Sequence, residues 1–394
     1  MNRASLVRGI QLVVAITMAT FALILYREVT QQRHDLSAGL RHVHVGWLVF
    51  AALLALQEGV CGGLRMFVLG RVLCPALSPR TAIASEFVLM FVGGITPGQL
   101  GAPVSQVAVL VEGGMPFAAI ATAELLTAFC TISFFLLSAT SMLLLRMTGR
   151  LEVPGADRFE YLLGFSAAVF GLCFVALLLC ALHPPLLKRL FGVAGRALGP
   201  TARALVETIS RIERLRSLKD APWAQPGGLT ARLVASVDRV HDGFMVYVRS
   251  GKRAVATAFA LTVGFFCARF AVSYFILLGL GLSTTPSEYV TIGPPIIQVI
   301  IVQGLLNFAL YLSPTPGASG IAETGSSALM SPWVSGPYEL PYLVLWRSLA
   351  LFLCMFVGGS YVFRYLGTDV LDRRVREARA AEASLSGAPQ TPER

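Results

Sequence analysis

Charged residues are scarce in this sequence of 394 residues. Asp, Glu, Lys and Arg make up only 14% of the chain, whereas 55% of the residues are hydrophobic. A typical soluble domain carries about 25% charged residues. A soluble core of this length could not bury so many apolar side chains, but the hydrocarbon interior of a bilayer accommodates them. The composition therefore excludes an ordinary soluble protein and indicates a membrane protein.

Signatures of catalytic and metal sites are missing as well. The chain has no G-x-S-x-G, H-E-x-x-H or P-loop sequence, and its seven cysteines and five histidines show no C-x-x-C or zinc-ligand spacing. We therefore expect no disulfide framework, no metal or other cofactor, and no enzymatic activity. The net charge of +10 lies beside long apolar runs, which favours the positive-inside rule over nucleic-acid binding.

Seven apolar stretches approach the length of about 20 residues that a membrane-spanning helix needs. They are Gly9–Tyr26, Trp47–Leu69, Phe117–Leu145, Tyr161–Leu182, Val255–Leu282, Tyr289–Leu312 and Tyr338–Leu366. The first follows two arginines, as a signal peptide does, but no small-residue cleavage site comes after it. We interpret it as an uncleaved span.

Proline and glycine interrupt two apolar regions. Ala82–Leu110 breaks at T-P-G-Q-L-G-A-P, and the region after Leu312 breaks at S-P-T-P-G-A-S-G. Such residues break a helix. The two motifs match as T-P-G-x-x-G at an offset of 219 residues, through Pro97, Gly98 and Gly101 in the first and Pro316, Gly317 and Gly320 in the second.

Loop charges predict the orientation of the chain. The segment His183–Arg253 holds thirteen Lys or Arg against five acids and is predicted to be cytoplasmic, whereas Ser283–Glu288 and Ser331–Pro337 hold no Lys or Arg and are predicted to lie outside. These assignments agree only if both broken regions are re-entrant. Tyr289–Leu312 is nevertheless long enough to span fully.

The predicted fold is therefore all-α: a polytopic transmembrane helical bundle of about six full spans and two broken, re-entrant hairpins. Its halves, about 47–145 and 255–366, would form an inverted repeat, as in many transporters. The alternative is two unrelated kinks in ordinary spans. Residues 1–366 would form this domain, and the tail 367–394 a disordered cytoplasmic segment.

The basic segment 183–253 contains two amphipathic patterns. Leu205, Ile209 and Ile212 form one apolar face, and a second is formed by Leu233, Val237, Val240 and Phe244. Two helices lying on anionic lipid would explain the pattern, and so would a helical hairpin packed under the bundle.

Charged residues inside apolar spans are costly and tend to mark function. Five stand out: Glu58, Glu124, Arg269, Glu323 and Arg347. Arg65 lies near the end of its span, where we expect it to snorkel to the interface. An ion pair of Arg347 with Glu124 or with Glu323 is geometrically plausible, either as part of a site or as a purely structural link between the halves.

The broken helices offer a second possible site. A break exposes unpaired N–H groups beside the N-terminus of the following helix, which suits an anion such as phosphate. Glycine lets a head group approach the backbone closely. Irregular backbone at membrane depth persists only where it is buried in protein or lines a polar cavity.

These motifs resemble the lysylphosphatidylglycerol synthase transmembrane region family. The resemblance rests on F-V-G-G-I-T-P-G-Q-L-G-A-P (91–103), Glu124, P-T-P-G-A-S-G-I-A-E (314–323) and W-R-S-L (346–349). Relatives often have Gly-Glu-Pro where this chain has Gly101-Ala102-Pro103. Full-length synthases add an aminoacyltransferase domain, and no such domain follows Leu366, so synthase activity is not implied.

The resemblance implies a flippase-like protein that moves an anionic or phosphate-bearing lipid between leaflets of the bacterial inner membrane. The ten residues of the breaks and the buried charges would shape its site: Pro97, Gly98, Gly101, Glu124, Arg269, Pro316, Gly317, Gly320, Glu323 and Arg347. The alternatives are a non-catalytic subunit of an envelope lipid or glycan biosynthesis system, or a small-solute secondary transporter. A homo-oligomer or an envelope-biosynthesis enzyme is a possible partner.

The topology leads to a labelling prediction. In a cysteine-free background, Thr285→Cys should react with an impermeant thiol reagent from the periplasm, and Asp220→Cys only after the membrane is opened. Both termini should behave like Asp220. Labelling of both positions from the same side would contradict the inverted repeat.

Overall fold

The computed structural model describes residues 43–96, 99, 101–149, 156–185, 188–189, 228–284, 294–311, 313 and 315–362. The predicted span Gly9–Tyr26, Pro97, Gly98, the first amphipathic face of the basic segment and the tail 367–394 lie outside the described residues. Within the described ranges the regular structure is entirely helical, which confirms the all-α fold class.

Ten helices follow one another along the described chain. They are α1 (Val45–Leu73), α2 (Pro79–Ile95), α3 (Ala102–Glu112), α4 (Phe117–Met147), α5 (Ala156–Leu182), α6 (Gly228–Arg249), α7 (Lys252–Gly279), α8 (Pro295–Tyr311), α9 (Ile321–Met330) and α10 (Gly336–Val362). A 3₁₀ turn, Pro316–Ala318, lies between α8 and α9. Helix α10 changes to π-helical geometry over Ser348–Leu353.

Four of the described helices are long and apolar enough to cross a membrane: α1, α4, α7 and α10. Each coincides with a predicted span to within a few residues. The 27-residue α5 occupies the predicted span Tyr161–Leu182. Helix α8 has only 17 residues and begins at Pro295, six residues after the predicted start. At 1.5 Å per residue it is about 25 Å long, shorter than the hydrocarbon core of about 30 Å.

Both predicted breaks separate two helices. Helix α2 begins at Pro79 behind the cap Ser78, whose hydroxyl oxygen accepts the Thr81 N–H at 3.1 Å. It ends at Ile95, and α3 starts only at Ala102. In the second half α8 and α9 are likewise separated by the T-P-G-x-x-G segment. Each half therefore has the order long helix, broken hairpin, long helix, as the sequence predicted.

Helices α1 and α7 run antiparallel and form the most extensive pair among the described helices. The amide of His44 donates to the carbonyl of Gly279 at 2.7 Å, whereas at the other end Arg65 bonds to Thr262. Because α1 opens the first half and α7 opens the second, corresponding helices run in opposite directions. This arrangement supports the inverted repeat, which stays a prediction.

The hairpin of each half packs against the last helix of the other half. Helix α2 contacts α10, where the side chain of Met355 packs on Val88, Phe91, Val92 and Ile95. Helix α8 contacts α4, where the rings of Phe135 and Phe308 lie 5.6 Å apart. Each broken hairpin is therefore held by a long helix of the other half.

Helix α6 carries the second amphipathic face of the basic segment. Its Val237, Val240 and Phe244 are buried, and the Tyr247 hydroxyl donates to the carbonyl of Leu69 in α1. Burial also raises the pKa of Tyr247 above its usual value. Of the two interpretations of this face, the structure supports packing against the bundle over lying on lipid.

The contact between α2 and α10 leads to a stability prediction. A Cβ at Gly358 would lie 2.0 Å from the carbonyl oxygen of Phe87. That oxygen belongs to the backbone of α2 and cannot move away easily. We expect Gly358→Ala to lower the free energy of unfolding by roughly 3 kcal/mol, because overpacking forces helices apart.

The control is Gly264→Ala, where the nearest atom, Cys61 Sγ, lies 4.0 Å from the added Cβ. Thermal unfolding of both variants in detergent measures the difference. Equal melting temperatures would show that the two helices do not pack as closely as described.

Candidate functional site

A cavity of about 230 Å³ lies where the two helix breaks meet. Gly93, Gly94 and Gln99 line it from the first break, and Gly317 and Ala318 from the second. A Cβ on Gly317 would lie 3.4 Å from the carbonyl oxygen of Gly94, so the two breaks touch. The sequence predicted both breaks but not their contact.

Six charged side chains line this cavity: Glu58, Arg65, Glu86, Glu124, Arg269 and Arg347. They come from α1, α2, α4, α7 and α10, four of which are candidate spans. An unpaired charge at the centre of a membrane helix costs about 2.5–3.5 kcal/mol on insertion scales, so such groups cluster and pair. The two halves of the chain bury their charges in one shared place.

Arg347 is held by the second break. Its Nε donates to Glu323 Oε1 at 2.6 Å, and its Nη2 donates to the carbonyl of Gly317 at 3.0 Å and to Ser319 Oγ at 3.2 Å. Glu323 is fully buried and Arg347 is 5% exposed. Of the two ion pairs considered for Arg347, the structure contains the one with Glu323. The π-helical segment of α10 begins directly after Arg347.

The backbone conformation of the second break requires glycine at two positions. Gly317 has φ 57°, and Gly320 has φ 90° with ψ −58°. Residues with a Cβ rarely adopt such positive φ angles. The Gly320 N–H donates to the second oxygen of Glu323 at 2.6 Å. The carboxylate of Glu323 therefore links the start of α9 to Arg347.

The first break is closed by Thr96. The Thr96 hydroxyl donates to the carbonyl of Val92 at 2.8 Å and accepts the Gly101 N–H at 3.2 Å. A Cβ at Gly101 would lie 2.8 Å from Thr96 Cγ2. Gly101 is thus required for the close fit of the break and lies behind the cavity wall rather than in it.

Arg269 and Arg65 have different surroundings. Arg269 pairs with Glu58, and a third of its side chain remains accessible. Arg65 is buried and donates to Thr131 and Thr262, both at 3.3 Å, with Glu86 4.0 Å away. The expectation that Arg65 snorkels to the interface was wrong, because its guanidinium lines the cavity instead.

Several buried polar atoms around the cavity have no hydrogen-bond partner among the described residues. They are Glu58 Oε2, Arg65 Nε, Gln106 Oε1, Glu124 Oε1, Thr127 Oγ1 and Asn307 Nδ2. Buried polar groups are nearly always paired in native proteins, with protein, water or a ligand. Their concentration on one cavity indicates a place for water or a polar ligand.

The predicted site residues fall into four groups. Glu124, Arg269, Gly317 and Arg347 line the cavity, whereas Gly101, Gly320 and Glu323 support its wall. Pro316 opens the 3₁₀ turn of the second break. Pro97 and Gly98 lie outside the described residues.

Glu86, Gln106 and Asn307 were missed by sequence reasoning. Each lies on a short helix of a broken hairpin, α2, α3 or α8. Glu86 is the one charged residue in the apolar stretch Ala82–Ile95, which is the same signal that singled out Glu124 in a longer span. A charge in an apolar segment was considered only in segments long enough to span the membrane, so Glu86 on the shorter α2 was overlooked.

A comparison with protein families identifies the chain. The family described as the lysylphosphatidylglycerol synthase TM region matches residues 10–358. The chain belongs to this family. The match includes both T-P-G-x-x-G breaks of this chain, and it confirms the predicted resemblance. Searches of curated proteins and of solved structures find no significant match to this chain.

The Glu323–Arg347 pair leads to a second stability prediction. Glu323→Leu should lower the free energy of unfolding by roughly 3 kcal/mol, because it leaves Arg347 buried without a counter-charge. The double variant Glu323→Leu with Arg347→Leu should recover most of the loss. Thermal unfolding in detergent measures both.

Glu339→Leu is a suitable control, since Glu339 is a partly buried carboxylate in the first turn of α10 that bonds to Ser327. Adding Arg347→Leu to the Glu339→Leu variant should not restore stability. Strictly additive losses for Glu323 and Arg347 would contradict the pairing.

Proposed function

We propose that the protein translocates an anionic or phosphate-bearing lipid between the leaflets of the bacterial inner membrane, with both termini in the cytoplasm. The observation that carries the proposal is Arg347, a permanent cation fixed by Glu323 at the cavity where both helix breaks meet. Family membership supports a role connected with membrane lipids. The polar cavity supports transfer of a head group through the bundle.

The guanidinium of Arg347 has capacity left for a ligand. Its hydrogen bonds to Glu323, Gly317 and Ser319 occupy the Nε–H and both Nη2 hydrogens, which is three of its five N–H donors. No described residue accepts the two N–H groups of Nη1, which leaves them for an anion in the cavity. Because Glu323 and the break fix the guanidinium in advance, little entropy is lost when a phosphate binds.

Arg269 supplies a second, more accessible cation. It lines the same cavity and pairs with Glu58, whose second oxygen lacks a partner in the described structure. A phosphate that enters between Arg269 and Arg347 can share Arg269 with Glu58, so that both anions stay beside a cation.

The cavity size restricts what can enter. Its volume of about 230 Å³ is below the roughly 300–1,000 Å³ of pockets that enclose a drug-sized ligand. It accommodates a polar head group but not two acyl chains, which stay in the hydrocarbon region. A head group inside the protein with its chains in the membrane is the arrangement that translocation between leaflets requires.

A reconstitution experiment tests the proposal. The proteoliposomes contain fluorescent phosphatidylglycerol, and dithionite added outside quenches only the probe in the outer leaflet. With the wild type, probe from the inner leaflet should become accessible to dithionite faster than in liposomes without protein. Arg347→Lys should slow this exchange about tenfold, equivalent to about 1.4 kcal/mol, because an ammonium cannot replace the planar fork of arginine.

Arg80→Lys serves as the matched control, since Arg80 is exposed in the first turn of α2. It should exchange lipid at the wild-type rate. Full activity in Arg347→Lys and also in Arg347→Leu would make Arg347 a structural residue, and the proposed site would be wrong.

A further inference from the structure

The charges at the cavity do not balance. Glu58 pairs with Arg269 and Glu323 pairs with Arg347, while Glu86 lies 4.0 Å from Arg65. These pairs use all three arginines at the cavity. A fourth carboxylate, Glu124, also lines it, and no ion pair to Glu124 occurs among the described residues. The group carries one carboxylate more than it has cations.

The cation that acts on Glu124 is Arg65, and Glu124 shares it with Glu86. Glu124 interacts electrostatically with Glu86 and Arg65. The guanidinium of Arg65 already donates to Thr131 and Thr262. Glu86 is a like charge, and one of its oxygens accepts a hydrogen bond from Gln106 Nε2 at 3.2 Å. An ionised Glu124 would therefore be a buried anion beside another anion, which is costly in a low dielectric.

Two further oxygens lie at the cavity: an amide acceptor on Gln106 and a hydroxyl on Thr127 that can donate or accept. Gln106 Oε1 and Thr127 Oγ1 are buried, line the same cavity and lack a partner among the described residues. Gln106 is only 2% exposed, and Thr127 lies on α4 one turn after Glu124. The Glu124 Oε1 atom is buried and unpartnered as well. A proton on that carboxyl group removes the excess charge and adds an O–H donor to a cavity in which Gln106 Oε1 is an acceptor without one among the described residues.

We propose that Glu124 takes up and releases one proton in each transport cycle, so that lipid movement is coupled to proton movement. This inference rests on the proposed function. The O–H bond forms when a proton from water on one side of the membrane adds to the carboxylate, and it breaks when the proton leaves to water on the other side. No electron is transferred, and the chain supplies every group that the step needs.

Binding of the head group and of the proton favour each other. A phosphate near Arg269 and Arg347 adds negative charge to a cavity that already contains one carboxylate in excess. Neutralising Glu124 removes one negative charge, so each ligand strengthens the binding of the other by the same factor. A monoanionic lipid moved together with one proton carries no net charge across the membrane.

The other ionisable groups that line the cavity are in ion pairs or are normally uncharged. The cavity presents Glu58 and Arg65 from α1, Glu86 from α2, Arg269 from α7, Tyr311 from α8, and Arg347 and Cys354 from α10. The carboxylates in this set have the partners given above, while phenols and thiols are normally neutral near pH 7. The residues of α3, α5 and α6 add no ionisable lining group within the described ranges. In α6, His241 bonds to the Ala181 carbonyl, and Asp238 pairs with Lys188.

The test uses the full chain in proteoliposomes with fluorescent phosphatidylglycerol and an imposed pH gradient. Wild-type protein should accumulate the probe in one leaflet, up to about tenfold for each pH unit if one proton moves with each lipid. A pyranine signal inside the vesicles should report proton movement that requires the lipid. Glu124→Gln should lose both the response to the gradient and the lipid-dependent proton signal.

Glu112→Gln is the matched control, because Glu112 is an exposed carboxylate at the end of α3. It should respond to the gradient like the wild type. The wild-type gradient response needs no variant, so the proposal remains testable even when Glu124→Gln does not fold.

The outcomes separate the two claims. A wild type that exchanges the probe but ignores the gradient overturns the coupling and leaves the proposed function standing. A gradient response in folded Glu124→Gln equal to that of the wild type overturns the assignment to Glu124. A wild type that moves no phosphatidylglycerol under any gradient overturns the proposed function, and this inference with it.

Discussion

The cost of placing charge in a hydrocarbon environment organises this protein. Three arginines and four glutamates lie in or beside one cavity, and each arginine has a carboxylate within 4.0 Å. The pair of Glu323 with Arg347 is the most enclosed of these, at 2.6 Å and with almost no exposure. Through it, the break before α9 is fixed to the last helix of its own half.

The breaks and the charges depend on each other. Irregular backbone at membrane depth needs polar partners, and Arg347 supplies them by donating to the Gly317 carbonyl, while Glu323 accepts the N–H of Gly320. Conversely, the break gives Arg347 acceptors that a continuous helix would already have used for its own hydrogen bonds. Each feature therefore satisfies polar groups of the other.

The reciprocal packing of the two halves gives the cavity its position. Each broken hairpin rests on the last helix of the other half, through Met355 on α2 in one case and Phe135 with Phe308 in the other. The broken segments of the two hairpins therefore meet at the cavity, one from each half. A movement of one half against the other would change the cavity first, because its walls come from both.

Much of the local structure could be predicted from the sequence, because it depends on neighbours along the chain. Long apolar runs predicted α1, α4, α7 and α10, and the T-P-G-x-x-G motifs predicted where helices stop. The start of α8 was predicted less well, since the apolar pattern extends beyond the helix. The inverted repeat follows from the same patterns and is supported by the antiparallel α1 and α7, but it stays a prediction.

The partners of the buried charges were decided by the tertiary structure. The sequence by itself determined that Glu58, Glu124, Arg269, Glu323 and Arg347 lie in apolar segments and must be compensated. It left Arg347 with two possible carboxylates, placed Arg65 at the interface and overlooked Glu86. Pairing depends on which helices are neighbours, and 211 residues separate Arg269 from Glu58 along the chain. Only the packing of the two halves brings such residues together, and it leaves Glu124 without an ion-pair partner among the described residues.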